Sequence, residues 1–543
     1  MKRILIVCGC LCWAFGLGAE QLPDNIYFKA MRDEMQRTQK QLHLPGVARP
    51  FYTAYRISIT EKQIFEAELG SLVSAVDEKQ KIDTPIPIVR AYMYVGNAQY
   101  NSSGFQEDKN NAVVSGHADN NYNSIRDLLW QLTDQQYVTE INRLEQKTAV
   151  KQQKKLPPQE AEFSNAPHVH LIEPVTAFEY RNRPTYNALV QELSAKGQAY
   201  AYVEDYRVGV RFGQRQIYFL DSLGNAYQVQ EPQNAVRFEM KLRTKDGLVE
   251  TVEDEAILPL ALEEEESFIR ARSEYFLRMT QHIYEAKKSD FYIGPALLVQ
   301  DGVSQFLTRL LVQNLRNTKP LLTRSDFEDK TVGALTKRVG MHITGKGVNV
   351  FDRPTERMWN GFALPAFRPV DAEGVAAQDL QIVENGKLKE IPTTRSLIKG
   401  QRRSNGHAVW SRMHPRAGLS NVFVTAVAPR TQAQLEQDLM QQCREQELDY
   451  CYVIYSWQGQ TGLNLAERIY TADGRREFVY GFEPEQKNDL RSLRDIIAAG
   501  DQPELLSTLG DTTAIIAPPL LLREVELKPI ERDPDRSPLV PMP

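Results

Sequence analysis

Apolar residues recur at two different spacings along the first third of the chain, and these spacings predict both helices and strands. Residues 26–41 have helical spacing with mixed charges, whereas residues 52–59 alternate between polar and apolar as a half-buried strand does. Further strands are expected at 63–76 and 86–95, and a further helix at 125–144. This mixture predicts a fold of the α/β (α+β) class.

The region that follows predicts a linker, a second group of strands and a long helix. Residues 145–167 are polar and contain prolines, so we expect a surface insertion or linker there. Residues 200–243 are β-rich, with a rhythm like that of the strands near residue 52, which suggests a loose internal repeat of strand pairs. A long helix is predicted at 255–288.

The second half begins with an apolar run at 291–298 that predicts a short buried strand. Helical spacing follows from Val303 to Leu311, and short strands separated by turns follow Asp371, with a helix at 431–445. A chain of 543 residues is too long for one ordinary core, so we predict two domains. The predicted parts are an N-terminal α/β domain at 20–288 with an insertion around 100–185, a β-rich domain at 289–530 and a frayed tail at 531–543.

The first nineteen residues have the pattern of a secretory signal peptide. Lys2 and Arg3 precede a short apolar run, and small residues lead to Ala19, after which we expect cleavage. The mature protein is therefore expected to be exported to the periplasm or the extracellular space. Two alternatives are a buried N-terminal core segment and a lipoprotein modified at one of three cysteines, Cys8, Cys10 or Cys12.

The charge and the cysteine content limit the kinds of function that this chain can have. Loss of Lys2 and Arg3 with the leader leaves 63 basic and 70 acidic side chains, a net charge of −7, which argues against general nucleic-acid binding. No later stretch is long and apolar enough to predict a membrane span. Cys443 and Cys451 can pair in an oxidising compartment, but we expect two buried thiols.

Short motifs alone do not identify a catalytic site. The sequence contains no HExxH, GxSxG, Walker or GxGxxG pattern, and Ser396 to Lys399 matches SxxK without its companion motifs. His168 and His170 would lie on one face of a strand, as a metal pair aided by Glu173 or as an exposed strand edge. The acidic run 263–266 predicts a solvated helix face rather than a cation site.

An ordered series of segments in the second half resembles the TldD/PmbA family (peptidase family U62, modulator-of-gyrase-like). The resemblance covers about residues 289–530, and the first half is compatible but more diverged. The segments, in order, are YIGPALLVQDGVSQFLTRLL, FRPVDAEGVAAQDLQIVENGKLKE, RRSNGHAVWSRMHPRAGLSNVFV, ERIYTADGRREFVYG and APPLLLREVEL.

The resemblance implies a two-domain α/β architecture, assembly into dimers and, in one type of member, a zinc peptidase site. In that type, HExxxH supplies two histidine ligands and a glutamate that activates the bound water, and a downstream cysteine completes the coordination. Here the matching positions are Gln300, Asp301 and Gln305, and no cysteine stands in LGDTT at 509–513. We therefore expect no zinc or other cofactor in this chain, with zinc in a partner subunit.

Three functions remain open. The leading hypothesis is an exported, non-catalytic subunit of a proteolytic complex that binds extended peptide and pairs with a zinc-bearing TldD-type relative or with itself. The second is a divergent hydrolase that uses other residues, with Asp301, His407 or His414 as candidates. The third is a peptide-binding or assembly protein without a proteolytic role. Turn or capping roles would also account for His407 and His414.

Overall fold

The structure is a computed structural model that describes most of the chain. The described residues are 22–73, 85–105, 115–156, 161–317, 322, 333–398, 401–410, 415–456, 464–484, 489–509 and 512–531. The predicted leader at 1–19, Lys399 of the SxxK match, His414 and all but the first residue of the predicted tail lie outside these ranges.

The N-terminal half contains four helices and nine strands among the described residues. In chain order they are α1 (Ile26–Gln41), β1 (Pro50–Glu68), β2 (Ser71–Leu72), β3 (Ile88–Val95), β4 (Ser115–His117), α2 (Tyr122–Gln153), β5 (His170–Ile172), α3 (Arg183–Ala195), β6 (Val203–Asp221), β7 (Ala226–Pro232), β8 (Ala235–Arg243), β9 (Val249–Ile257) and α4 (Leu262–Glu285).

The second half is built mainly from short strands, with two helices among the described residues. They are β10 (Lys287–Lys288), β11 (Tyr292–Leu298), α5 (Gln300–Leu307), β12 (Val348–Asp352), β13 (Met358–Trp359), β14 (Phe362–Ala363), β15 (Leu380–Glu384), β16 (Lys387–Leu388), β17 (Ala408–Val409), β18 (Arg416–Ala417), β19 (Asn421–Ala426), α6 (Gln432–Glu445), β20 (Tyr450–Ile454), β21 (Leu465–Tyr470), β22 (Arg476–Tyr480), β23 (Phe482–Pro484), β24 (Ile496–Ala499), β25 (Glu504–Leu505), β26 (Ala514–Ala517) and β27 (Leu520–Pro529). The mixed α/β class predicted from the sequence is confirmed.

Two long antiparallel strands form the centre of the N-terminal sheet. β1 and β6 pair from Ala54–Asp221 to Glu68–Arg207, and the sheet runs in the order β4-β3-β1-β6-β7-β5, with β8 and β9 added alongside β6. Alternation gives β1 two buried faces. Tyr55 and Ile57 pack in one cluster with α1 and α2, whereas Tyr52 packs on the opposite side in a cluster that includes Val370 from the second half.

Two predictions about helices in this half are wrong in their bounds. α2 does not end before a linker but continues to Gln153, and Lys147 on it is buried. The Lys147 ammonium is compensated because it donates to both carboxylate oxygens of Glu162, at 2.7 and 3.0 Å, and to the carbonyl oxygens of Asn101 and Ser103. Sequence polarity suggested solvent here, but the charge is satisfied inside the fold.

The long helix predicted from residue 255 begins only at Leu262, because Glu255 belongs to β9. The acidic run at its start is not uniformly solvated, since Glu265 is fully buried. Its carboxylate accepts hydrogen bonds from Arg181, at 2.7 and 3.2 Å, and from the Tyr186 hydroxyl at 2.8 Å. Glu265 therefore fastens α4 to the segment that leads into α3.

Two sheets of the second half enclose its main core. One runs in the order β10-β22-β21-β20-β11-β27-β23, with β24 on β27, and the other in the order β16-β15-β12-β19-β26-β25. The helix that begins at Gln300 continues through a π-helical turn at Thr308–Val312. Its buried apolar face packs in the same cluster as residues of both sheets, which confirms the helical spacing predicted from Val303 to Leu311.

A disulfide joins Cys443 at the end of α6 to Cys451 on β20. Both sulfur-bearing residues are fully buried, beside Leu435 and Leu439 of α6. The expectation of buried positions is confirmed, but the expectation of free thiols is wrong. Spacing could not decide this, because only the packing of α6 on β20 brings the two side chains together.

Candidate functional site

A cavity of about 830 Å³ lies between the two halves of the chain. One wall is the helix that starts at Gln300, and a second is β9 with Phe268 and Arg272 of α4. The third wall is formed by residues 503–508 together with Thr512 and Thr513. The helical wall presents one face, as expected for residues three or four apart. Its members are Gln300, Asp301, Ser304, Gln305, Thr308, Arg309, Val312, Gln313 and Arg316.

The three positions that match the family's zinc motif therefore meet at this cavity. Gln300, Asp301 and Gln305 line one wall, and Thr512 and Thr513 of the LGDTT segment line another. The family resemblance implied that these two segments are neighbours, although more than 200 residues separate them along the chain. The cavity therefore lies where the resemblance implies a zinc site, but different side chains line it.

This set does not fit zinc. Zinc sites in proteins use imidazole, thiolate and carboxylate ligands, and amide and hydroxyl oxygens are poor substitutes. The amide oxygen of Gln300 already accepts a hydrogen bond from the Tyr275 hydroxyl. Within the described ranges, no three His, Cys, Asp or Glu residues lie close enough to hold a metal ion.

Gln300 sits in a constrained turn at the start of its helix. Its φ of +48° is in the left-handed region, which costs free energy for a residue other than glycine. The Tyr275 hydroxyl donates to its side chain, and burial raises the pKa of Tyr275 to about 12. The tyrosine is therefore neutral at physiological pH and remains a donor, which holds the amide in one orientation.

Two sheet edges border the cavity. β25 is the outer strand of its sheet, and β9 pairs only with β8 among the described strands. The Leu506 N–H donates to Ile515 and the Leu258 N–H to Asn234. Since antiparallel pairing alternates, the backbone groups of Leu505 and Ile257 face away from their partner strands and towards the side where both residues line the cavity.

The charged groups of the cavity differ in how well they are paired. Arg272 donates two hydrogen bonds to Asp254, at 2.6 and 2.7 Å, so its charge is compensated. Glu255 accepts from the backbone N–H of Leu509 at 2.8 Å. Arg309 is different, because its Nη1 atom is buried and has no hydrogen-bond partner in the described part of the chain. A buried unpaired donor that lines a cavity is available for a ligand.

A buried pair of acidic residues lies between the two halves of the chain. The sequence alone did not identify this pair as a candidate site. Asp371 and Glu373 are fully buried, and Asp371 accepts hydrogen bonds from three backbone N–H groups. Glu373 accepts from the backbone N–H of Arg395 at 2.6 Å. Burial, and then the neighbouring Asp371 charge, raise the pKa of Glu373 to about 8. The sequence feature that could have identified this pair is DAEG at 371–374, within one of the family-like segments.

Three histidine candidates lie within the described residues, His168, His170 and His407, and none of them lines the cavity. His407 is fully buried, with Nδ1 3.0 Å from the Asn405 carbonyl and Nε2 3.2 Å from an Asp352 oxygen, without hydrogen-bond alignment at Nε2. His168 is exposed just before β5, and its Nε2 lies 2.6 Å from the carbonyl oxygen of Gly224. His170 begins β5, which is an edge strand.

Glu173, the residue expected to assist a histidine metal pair, instead binds Arg357. That ion pair links the segment after β5 to the second half of the chain.

No described helix is long and apolar enough to cross a membrane.

Comparison with known proteins gives a family match and a shared fold. Residues 295–528 match the family described as the PmbA/TldA metallopeptidase C-terminal domain. No curated protein matches the chain. TldE from Thermococcus kodakarensis is 14% identical with a TM-score of 0.56, over 92% of this chain and 100% of that one.

Two further solved structures carry descriptions as modulators of DNA gyrase. The protein from Thermotoga maritima is 13% identical with a TM-score of 0.58, over 92% of this chain and 100% of its own. The protein from Bacteroides thetaiotaomicron is 12% identical with a TM-score of 0.57, over 93% and 98%. At these identities the three structures establish the fold that the chain shares with them.

Proposed function

The chain belongs to the TldD/PmbA family through residues 295–528, and from this premise we propose that it is an exported, non-catalytic member that binds extended peptide. It would act as a subunit of a proteolytic complex, with a zinc-bearing TldD-type relative or with a second copy of itself. Neither nucleic acid nor a metal ion in this chain has a part in the proposal.

The cavity carries this proposal. It keeps an open volume of about 830 Å³ at the positions where the family's zinc ligands would stand, while Gln300, Asp301 and Gln305 replace the ligand set. A catalytic site that had simply filled in would leave no room for a substrate. A cavity that persists without a set of zinc ligands is typical of a site that binds a ligand but does not catalyse a reaction.

The two strand edges favour a peptide that binds in an extended conformation. An extended peptide can add to a sheet edge by backbone hydrogen bonds, which require no particular side chains. Leu505 on β25 and Ile257 on β9 present outward N–H and C=O groups to the cavity. The unpaired Nη1 of Arg309 adds a donor for a peptide carbonyl or carboxylate.

The first test is peptide binding without cleavage. A fluorescein-labelled decapeptide of alternating valine and threonine is expected to bind the purified chain in a fluorescence anisotropy titration and to remain intact by mass spectrometry. Elemental analysis of the same sample is expected to find far less than one equivalent of zinc. Leu505→Pro removes one outward N–H and should weaken binding roughly fivefold, and Arg309→Gln should weaken it about tenfold.

Matched controls separate this effect from misfolding. Leu505→Val keeps the N–H and should bind like the wild type, as should Arg270→Gln, since Arg270 is held by Glu192 and Glu266 on an exposed part of α4. Absence of binding at high micromolar protein would overturn the proposal. Stoichiometric zinc would refute the assignment of the cavity and redirect attention to His168 and His170.

The second candidate function is a divergent hydrolase, and one observation favours it. Asp301 lines the cavity and is exposed there, so a carboxylate remains beside any bound peptide. Peptide cleavage by the metal-free chain that is lost in Asp301→Asn would establish this alternative instead. A peptide that binds without cleavage, by a chain that never associates with a zinc-bearing relative, would favour an assembly role.

Export forms a separate part of the proposal. It is supported by the signal-like pattern of residues 1–19 and by the Cys443–Cys451 disulfide, since disulfides persist mainly in oxidising compartments. N-terminal sequencing of protein from the native host is expected to begin near Glu20. The two cysteines are expected to resist alkylation until a reductant is added. Recovery of protein that begins at Met1 from the cytoplasm would contradict export.

A further inference from the structure

Two arginines at one end of the large cavity have no charged partner in the described part of the chain. Arg309 lies on the helix that begins at Gln300, Arg316 directly follows its last turn, and both line the cavity. The Nη1 atom of Arg309 is buried without a hydrogen-bond partner, and neither guanidinium group forms an ion pair with a described residue. We name these two residues the basic end.

The helix itself provides no group that compensates the charge of Arg309. Gln305 and Gln313, about one turn before and after it, also line the cavity but carry no charge. The only carboxylate on this helix belongs to Asp301, which lies roughly 12 Å from Arg309 along the helix axis. Since buried donors in native proteins are nearly always paired, the unpaired Nη1 atom of Arg309 requires an explanation.

The three carboxylates that line the cavity interact with other groups. Asp301 and Glu504 both interact electrostatically with Arg272. Glu255 accepts a hydrogen bond from a backbone N–H at 2.8 Å. None of the three forms an ion pair with the basic end. The charges of the cavity are therefore separated, with acidic groups around Arg272 and unpaired positive charge at the basic end.

Apolar side chains near the basic end strengthen its attraction for an anion. Val312, which lies between the two arginines along the helix, is buried and lines the cavity. Phe268, Trp359 and Phe362 form an aromatic part of the same cavity. A charge beside apolar walls is screened less by water than a charge on an open surface, so an ion pair formed there is stronger.

We propose that the basic end binds a carboxylate of the bound peptide, either the free C-terminus or an acidic side chain. This inference rests on the proposed function, because it assigns a subsite within the same cavity. The planar guanidinium group of Arg309 donates two parallel hydrogen bonds to the carboxylate, and its buried Nη1 atom thereby gains an acceptor. Arg316 is exposed and attracts the carboxylate towards the cavity.

The separation of charge also gives the peptide a direction. Asp301 and Glu504 repel a carboxylate from their part of the cavity, whereas the basic end attracts it. The carboxylate therefore lies beside Arg309, and the rest of the extended peptide runs along the helix towards Asp301. Backbone pairing at the strand edges then provides affinity, and the basic end selects the peptide by its charge.

Fluorescence anisotropy with three forms of the valine–threonine decapeptide tests this subsite. All three carry fluorescein at the N-terminus. One has a free C-terminal carboxylate, the second a C-terminal amide, and the third a C-terminal amide with glutamate as the last residue but one. The wild type is expected to bind the first or the third peptide about tenfold more tightly than the second. Preference for the first identifies the terminus as the source, and preference for the third identifies an acidic side chain.

Variants of Arg309 connect this preference with the basic end. Arg309→Gln should bind all three peptides about equally, and Arg309→Lys, which keeps the charge but loses the planar fork, should show an intermediate preference. Because its Nη1 atom has no hydrogen bond to lose, Arg309→Gln should unfold at about the same temperature as the wild type. Arg523→Gln is the matched control for net charge, since Arg523 is exposed on β27 and does not line the cavity.

Three results would count against the subsite in different ways. Equal binding of the three peptides by the wild type would overturn it and leave the proposed peptide binding intact. A preference that persists undiminished in folded Arg309→Gln would overturn the role of Arg309. Absence of binding by all three peptides at high micromolar protein would refute the proposed function together with this inference. The comparison of peptides on the wild type decides the question even if a variant does not fold.

Discussion

Phe306→Asp is expected to prevent the second half of the chain from folding. Phe306 is 1% exposed and lies in the main core with Val303, Leu310 and strands of both sheets. Removing the ring leaves a large cavity, which costs about 3–5 kcal/mol, and a buried unpaired carboxylate adds several more. Since whole domains are stable by only about 5–15 kcal/mol, the sum removes most or all of that margin.

Circular dichroism melting and light scattering provide the measurement. Leu310→Asp should behave in the same way, because Leu310 is 4% exposed in the same cluster. Gln313→Asp is the matched control, since Gln313 lies on the exposed side of the same helix. A cooperative melt for Phe306→Asp within a few degrees of the wild type would contradict the buried core position.

The wild type in the same light-scattering experiment tests assembly. Burial of Phe306 and Leu310 within a single chain means that their variants report on folding rather than on a subunit contact. We expect a dimer, alone or with a zinc-bearing relative, and an obligate interface should bury upwards of about 2,000 Å². A wild type that stays monomeric at high micromolar concentration in both conditions would end the subunit proposal.

Glu373→Gln is expected to make the protein more stable at pH 8 and to remove a pH dependence. Glu373 is packed between the halves, where Asp371, Arg395 and Tyr94 face it, and its backbone carbonyl accepts from Arg395 and Tyr52. Also in this buried cluster are Tyr92, which donates to the carbonyl of Ala372, and Asp221, which accepts from Tyr52.

The direction of this pH dependence follows from the raised pKa of Glu373. Below pH 4.5 its carboxyl group is protonated in both the folded and the unfolded chain, so its contribution to the free energy of unfolding is fully present. Between pH 4.5 and about 8 only the unfolded chain loses the proton, and stability falls by about 1.4 kcal/mol per pH unit. The loss is complete once the pH exceeds the folded-state pKa, and it amounts to roughly 3–5 kcal/mol.

Urea unfolding at pH 5 and pH 8 measures this difference. The amide of glutamine keeps an acceptor for the Arg395 N–H and has no proton to lose, so the variant should show a much smaller change between the two pH values. Glu274→Gln, at an exposed position on α4, should retain the pH response of the wild type. If the response of Glu373→Gln equals that of the wild type, another group titrates in its place.

Features that depend on local pattern could be predicted from the amino-acid sequence. The helix at 26–41 was predicted with its observed bounds, and the apolar spacing from Val303 to Leu311 gave a helix whose buried face is the predicted one. The resemblance to the family implied that Gln300 and Thr512 are neighbours, and both line the cavity. The helix predictions succeed because helical periodicity is a property of neighbouring residues, whereas the proximity of Gln300 and Thr512 came from the family resemblance.

Features that depend on residues far apart in the sequence could not be predicted in this way, because they form only when the chain folds. Pairing of β1 with β6, about 150 residues apart, forms the centre of the N-terminal sheet, and the packing of Arg395 against Glu373 creates the buried acidic cluster. The burial of Lys147 and Glu265 contradicted expectations drawn from polarity, and the Cys443–Cys451 disulfide contradicted the expectation of free thiols, which residue spacing could not decide. A charge is stable in the interior when a partner compensates it, and no local pattern records where that partner will lie.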